Sequence, residues 1–276
     1  MPELRSGDAA IHYEVSGSGP PILFAHESTG DYANWQAQVE HFSQRFTCIA
    51  YNSRGYPPSG VPASPDSYSQ EIFVSDMLAV LDRLKVERAH IVGLSMGSMT
   101  SLHFGLRHPD RALSIVLAGT GPGQSRPAVE AFNAQVEALA DQLEAQGWAG
   151  IMEDYDAAPD RRQLRWKNPS VHRIYLERLR NRDAAVSARL LRRVVCTRPV
   201  LADLKDELAG MDQPVLIATG DQDSDCLPTS LYLQNVLRRS GLAVFPRTGH
   251  AVNLEEPRLF NDVLDGFYQA LTAGKW

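Results

Sequence analysis

The sequence predicts an α/β fold, a largely parallel sheet covered by helices and interrupted by a helical insertion. Three observations lead there. Short continuous apolar runs alternate with helical patterns over the first 120 residues, the alternation stops for residues 127–210, and it then resumes to the C-terminus. Strands buried on both faces read as unbroken apolar runs, and their alternation with helices indicates a parallel sheet.

The elements follow in order. Ile22-Leu23-Phe24-Ala25 reads as a strand and Trp35–Gln44 as a helix; Phe46–Tyr51 reads as the next strand. After a Gly/Pro/Ser-rich loop, Ile72, Phe73, Met77, Val80, Leu81 and Leu84 recur at helical spacing within Ser69–Leu84. A strand at Ala89–Val92, a helix at Ser98–Arg107 and a strand at Leu113–Ala118 follow. Ala128–Trp148 then carries Phe132, Val136, Leu139 and Leu143 along one stripe, and further helical pieces lie at Val171–Arg180, Ala184–Val195 and Val200–Leu208. Strands return at Val215–Ala218 and Ala243–Phe245 before a terminal helix at Pro257–Leu271. No internal repeat or low-complexity tract is visible.

Composition narrows the function classes. Apolar content of 43% and charged content of 22% are those of a soluble globular chain. A net charge of −6 gives no electrostatic case for nucleic acid or an anionic membrane. The arginines from Arg161 to Arg193 are interleaved with acids, as on solvated helix faces. No apolar run approaches the roughly 20 residues that cross a bilayer, and no secretory signal is visible at the N-terminus. Cys48, Cys196 and Cys226 lie far apart without metal-ligand spacing. We therefore expect a cytoplasmic protein with reduced thiols and no metal or organic cofactor.

The chemistry is concentrated at Gly93-Leu94-Ser95-Met96-Gly97, between a strand and a helix. G-x-S-x-G in that setting describes a nucleophile elbow, with a serine oxygen exposed on a sharp turn. The flanking glycines suit a turn that crowds the backbone. Serine needs a base to take its proton, and His250, glycine-flanked after the last strand, is the candidate. His12, His41, His90, His103, His108 and His172 lack that context and read as structural. The base needs an acceptor to fix its tautomer, and Asp221, Asp223 and Asp225 compete for that role. An oxyanion must meet preorganised donors; one is expected to be the N–H of Met96, with its partner in the loop after Ile22–Ala25.

With these sites the chain resembles the α/β-hydrolase superfamily along nearly its whole length. The order nucleophile, acid, histidine is that of the fold, and Arg247-Thr248-Gly249-His250-Ala251-Val252-Asn253-Leu254-Glu255-Glu256-Pro257 looks like the histidine loop of bacterial members. More narrowly it resembles a bacterial esterase/enol-lactonase-like type, through His26-Glu27 and Arg54-Gly55-Tyr56-Pro57-Pro58-Ser59. The resemblance implies an eight-stranded, mostly parallel sheet flanked by helices, with a helical cap at residues 122–210 on a core formed by 1–121 and 211–276. It also selects Asp223, three residues after Gly220, as the acid, and maps the second oxyanion donor to the N–H of Ser28.

The chain departs from the family at Glu27, where glycine is usual. We expect its side chain to turn away and support the loop; the alternative aims the carboxylate into the pocket, positioning water or selecting a polar or cationic group. Tyr155 and Trp166 are candidates to line the acyl pocket, and Arg54 reads as a structural tie between loops.

The expected activity is hydrolysis of a carboxylic ester of a small or medium substrate through an acyl-serine. Lactone hydrolysis and C–C hydrolysis of β-diketone-like substrates use the same triad, and a non-catalytic small-molecule receptor is the alternative of another class. The partner expected is a small-molecule ester or lactone; a homodimer stays open.

Overall fold

The computed structural model describes residues 2–159 and 161–276. Its sheet comprises β1 (Glu3–Ser6), β2 (Ala9–Ser16), β3 (Pro21–Ala25), β4 (Thr47–Tyr51), β5 (Ala89–Leu94), β6 (Ala112–Ala118), β7 (Val215–Gly220) and β8 (Ser240–Phe245). The strands lie in the order β1-β2-β4-β3-β5-β6-β7-β8. β2 pairs antiparallel with β1 and β4, and the other pairings are parallel.

The continuous apolar strands are explained by two covered faces. The register row Leu23, Ile91, Ile115 and Val215 faces one core, and the adjacent row Phe24, Val92, Val116 and Leu216 faces the other. Helix α1 (Gln36–Phe42) contributes Phe42 to the second core. Helices α2 (Gln70–Arg83) and α3 (Met96–Arg107) cover the first with Met77, Val80, Leu81, Met99 and Leu102. Ser69 caps α2 by accepting from the N–H of Ile72 at 3.2 Å, which ends the preceding loop.

The insertion between β6 and β7 begins with α4 (Arg126–Ala157), capped by Ser125. Its helical path breaks at Gly147, whose φ of +66° suits a residue without a Cβ; the helix expected over 128–148 therefore ends there. Next come α5 (Arg162–Lys167), α6 (Pro169–Arg180), α7 (Ala184–Leu190), which runs into a π turn through Val195, and α8 (Lys205–Ala209). Val136, Leu143, Trp148, Leu164, Leu179 and Leu191 form a separate core that also takes in Ala251 and Leu254. Leu201 and Leu208 instead join the sheet core, so the packing changes partner well before residue 210.

Helix α9 (Leu227–Val236), α10 (Val252–Glu255) and α11 (Pro257–Thr272) complete the chain. Phe260, Leu264 and Phe267 of α11 are buried against the second core; truncating Phe260 to alanine would cost about 3–5 kcal/mol. Among the described residues no helix is long and apolar enough to cross a membrane.

Candidate active site

The site sits at the C-terminal edge of the parallel strands. Ser95 joins β5 to α3 with φ +56° and ψ −113°, a backbone conformation that costs about 1–3 kcal/mol for a residue with a side chain. The surroundings hold it there. Its N–H donates to Ala118 O at 2.8 Å, and its carbonyl accepts from Met99 N at 3.0 Å. A Cβ on Gly93 would stand 2.2 Å from Gly97 O, and one on Gly97 2.2 Å from Ala25 O. Both flanking glycines are thus required by close approach.

His250 follows β8, and its Nδ1 lies 2.7 Å from Oδ2 of Asp223. Asp223 follows β7 and is buried. Burial works against its charge, but the His250 imidazole and its hydrogen bond outweigh this and hold the carboxyl below the usual range. Asp221 plays a different part, because its Oδ1 accepts from Thr248 N at 3.2 Å and stitches the two loops together. Asp225 lines the cavity.

Glu255 falls within the histidine-loop stretch, where the sequence reading assigns it no role, and it clamps that loop on both sides of His250. Its Oε2 accepts from Gly249 N at 2.6 Å and its Oε1 from Ala251 N at 3.2 Å. Burial pushes its carboxyl up to about 7, against those two hydrogen bonds.

Ser95, Asp223 and His250 line one cavity of about 140 Å³ together with Ser28, Met96 and Tyr155. Met96 is the first residue of α3, where helix geometry leaves the N–H without an intrahelical acceptor. The Ser28 carbonyl is held by Tyr56 Oη at 2.9 Å and Arg182 Nη1 at 3.2 Å. Arg182 Nη2 also donates to Gly30 O, and Tyr175 Oη donates to Thr29 Oγ1 at 2.6 Å. Helix α6 and the turn after it thus fasten the loop that carries Ser28. The reading of the arginine stretch as solvated faces fits Arg192, which meets Glu137, Asp141 and Glu144, but not Arg182.

Two candidate substrate contacts lie elsewhere. The Glu27 side chain is buried and folds over Gly30, where a Cβ would be 2.3 Å from its Cδ, and Oε1 accepts from Asn34 Nδ2 at 2.7 Å. It is not in the cavity wall, so the loop-supporting conformation is the one present. Burial pushes its pKa up. Trp166 is 61% exposed beside Arg162 and does not reach the cavity, because α5 turns it outward.

Arg54 is a tie, with Nε and Nη2 each 2.7 Å from Asp76 and Nη1 2.8 Å from Asp8. His26 bridges loops through Glu27 O and Ser53 N, and burial pushes its pKa down to about 4.

Metal binding has one candidate group among the described residues, since Asp223, Cys226 and His250 present ligand atoms within 4.8 Å of one another. Those atoms already meet one another, His250 Nδ1 lying 2.7 Å from Asp223 Oδ2 and 3.6 Å from Cys226 Sγ. Burial pushes the thiol well above its ordinary range, which keeps it neutral.

The fold and this strand-edge site define an α/β hydrolase with a helical insertion. A family model described as the alpha/beta hydrolase fold matches residues 20–257, and the chain belongs to that family of hydrolases. It is similar to 3-oxoadipate enol-lactonase 1 of Acinetobacter baylyi, at 25% identity over 95% of this chain and 94% of that protein. It is also similar to 2-hydroxymuconate semialdehyde hydrolase of Pseudomonas sp., at 27% identity over 96% and 92%. The solved enol-lactonase of Burkholderia xenovorans superposes with a TM-score of 0.81 at 23% identity, covering 97% of this chain and 100% of that one, a likeness of fold.

Proposed function

We propose that the chain is a serine hydrolase that cleaves a carboxylic ester through an acyl-serine intermediate. The observation that carries this reading is Ser95 held at φ +56° in the wall of the cavity that also exposes the His250–Asp223 pair. Because Nδ1 of His250 is engaged by Asp223, Nε2 is the nitrogen that serves Ser95. In this reaction Ser95 Oγ attacks the ester carbonyl carbon and His250 takes its proton. The tetrahedral oxyanion is met by the N–H groups of Met96 and Ser28. His250 returns the proton to the leaving alcohol as the C–O bond breaks. Water then attacks the acyl carbon, giving its proton to His250, and Ser95 leaves reprotonated with release of the carboxylic acid.

Lactone hydrolysis is the second reading, favoured by the similarity to 3-oxoadipate enol-lactonases. It uses the same steps, with acid and alcohol released as one molecule. A fluorophosphonate probe tests both: covalent labelling is expected in the native protein and absent in Ser95→Ala. No labelling of folded native protein refutes the serine-hydrolase reading and leaves a non-catalytic receptor.

A further inference from the structure

The cavity wall holds a cation that the proposed chemistry does not use. Arg198 is only 7% exposed and lies in the same wall as Ser95 and His250. Its Nη2 donates to Pro122 O at 2.9 Å, its Nε has no hydrogen-bond partner, and its Cζ stands 4.8 Å from the Phe132 ring centre. Among the described residues no carboxylate forms an ion pair with it. Arg54, equally deep, is met by Asp76 and Asp8. A guanidinium is a fork of five donors, and a buried charge without a counter-charge is costly. Burial pulls its pKa down to about 10, which leaves it charged at neutral pH. Gly121 shares the cavity wall beside it, and a methyl there would stand 3.0 Å from Nη2.

We infer that Arg198 determines specificity by pairing with a carboxylate on the substrate, so that the preferred esters or lactones are anionic. This rests on the serine-hydrolase reading for the reaction, though not for the binding. One guanidinium neutralises one charge, and its planar fork matches a carboxylate in two parallel hydrogen bonds. The anion supplies the counter-charge the protein withholds. A neutral ester of the same length leaves the guanidinium buried and unpaired, and is disfavoured for that reason.

The test compares monomethyl glutarate with methyl pentanoate in a pH-stat, for the native protein and for Arg198→Met and Arg198→Lys. The native protein is expected to favour the anionic ester in kcat/KM. Arg198→Met should lower that ratio by about 100-fold, and Arg198→Lys should retain part of it. A native ratio near one, or a ratio unchanged in Arg198→Met, overturns the inference while ester turnover upholds the hydrolase reading. Calorimetry on the Ser95→Ala protein gives an arm free of chemistry: glutarate should bind and glutaramide should not. Equal binding of both overturns the inference. If neither ester turns over and the fluorophosphonate fails to label, the hydrolase reading falls and the glutarate arm alone decides. That arm also decides if Arg198→Met does not fold.

Discussion

Replacing Glu255 with glutamine separates the stability of the histidine loop from its geometry. The carboxylate is buried and accepts from Gly249 N and Ala251 N. Its pKa rises from an ordinary 4.5 to about 7 on folding, because burial outweighs those hydrogen bonds. Between these values the native protein holds a proton that the unfolded chain has released. The Glu255 contribution is therefore complete below pH 4.5 and is lost as pH rises through about 7. At about 1.36 kcal/mol per pH unit the gap is worth roughly 3 kcal/mol, most of it between pH 5 and 7.

Glutamine does not titrate, so the difference between the two unfolding curves reports Glu255 together with its coupling to Lys167 and His250. Relative to the native protein, Glu255→Gln should gain about 5–10 °C in Tm on going from pH 5 to pH 8. It should nevertheless be slower at pH 8, by about tenfold in kcat, because an amide offers one acceptor to two N–H groups. Thermal melts across pH 4.5 to 8 make the measurement. A Tm difference that is constant over this range refutes the proposed role of Glu255.

Asp223→Asn should lower kcat by about 10³–10⁴-fold by removing the acceptor that fixes the His250 tautomer, whereas Asp221→Asn should lower it less than about tenfold; steady-state kinetics on the pair reads the contrast. Arg182→Met removes the guanidinium hydrogen bonds to the carbonyls of Ser28 and Gly30, leaving Ser28 O to Tyr56 Oη alone, and should reduce kcat by about 10–100-fold with a parallel loss of affinity for a trifluoromethyl ketone, which reads the proposed oxyanion donors. Because Glu27 lies outside the cavity wall, Glu27→Gln should leave the ratio of kcat/KM for cationic and neutral esters within about twofold. Trp166→Ala, at an exposed site, should change Tm by about 1 °C or less.

What the sequence displays depends on where the physics is local. Ile22–Ala25, Ala89–Val92 and Val215–Ala218 are legible because burial on both faces leaves an unbroken apolar run. The β1–β2 hairpin is not, since Glu3–Ser6 buries every second residue and is only four residues long. Helix α9 is also missed; Leu233 enters the core while Leu231 and Asn235 face outward, a thin stripe to read. At the site, the elbow and histidine loop announce themselves through glycines that the backbone requires. Glu255 clamps its loop by donors on residues 249 and 251, a contact set by one short helix. Arg182 and Arg198 act across 154 and 76 residues of separation, and no spacing rule reaches that far. Glu27 reads as an anomaly until Gly30 is seen beneath it, vacating the volume that its carboxylate fills.

The fastening of the insertion to the Ser28 loop has a consequence for timing. Tyr175 and Arg182 belong to the insertion, yet their hydrogen bonds end on Thr29, Ser28 and Gly30. Any outward swing of that segment, whether to admit substrate or release product, must first let go of the loop. The same movement that opens the cavity to water would therefore slacken one of the two donors proposed for the oxyanion. On the proposed chemistry, bond cleavage would then be confined to the interval when the insertion is fastened to the loop.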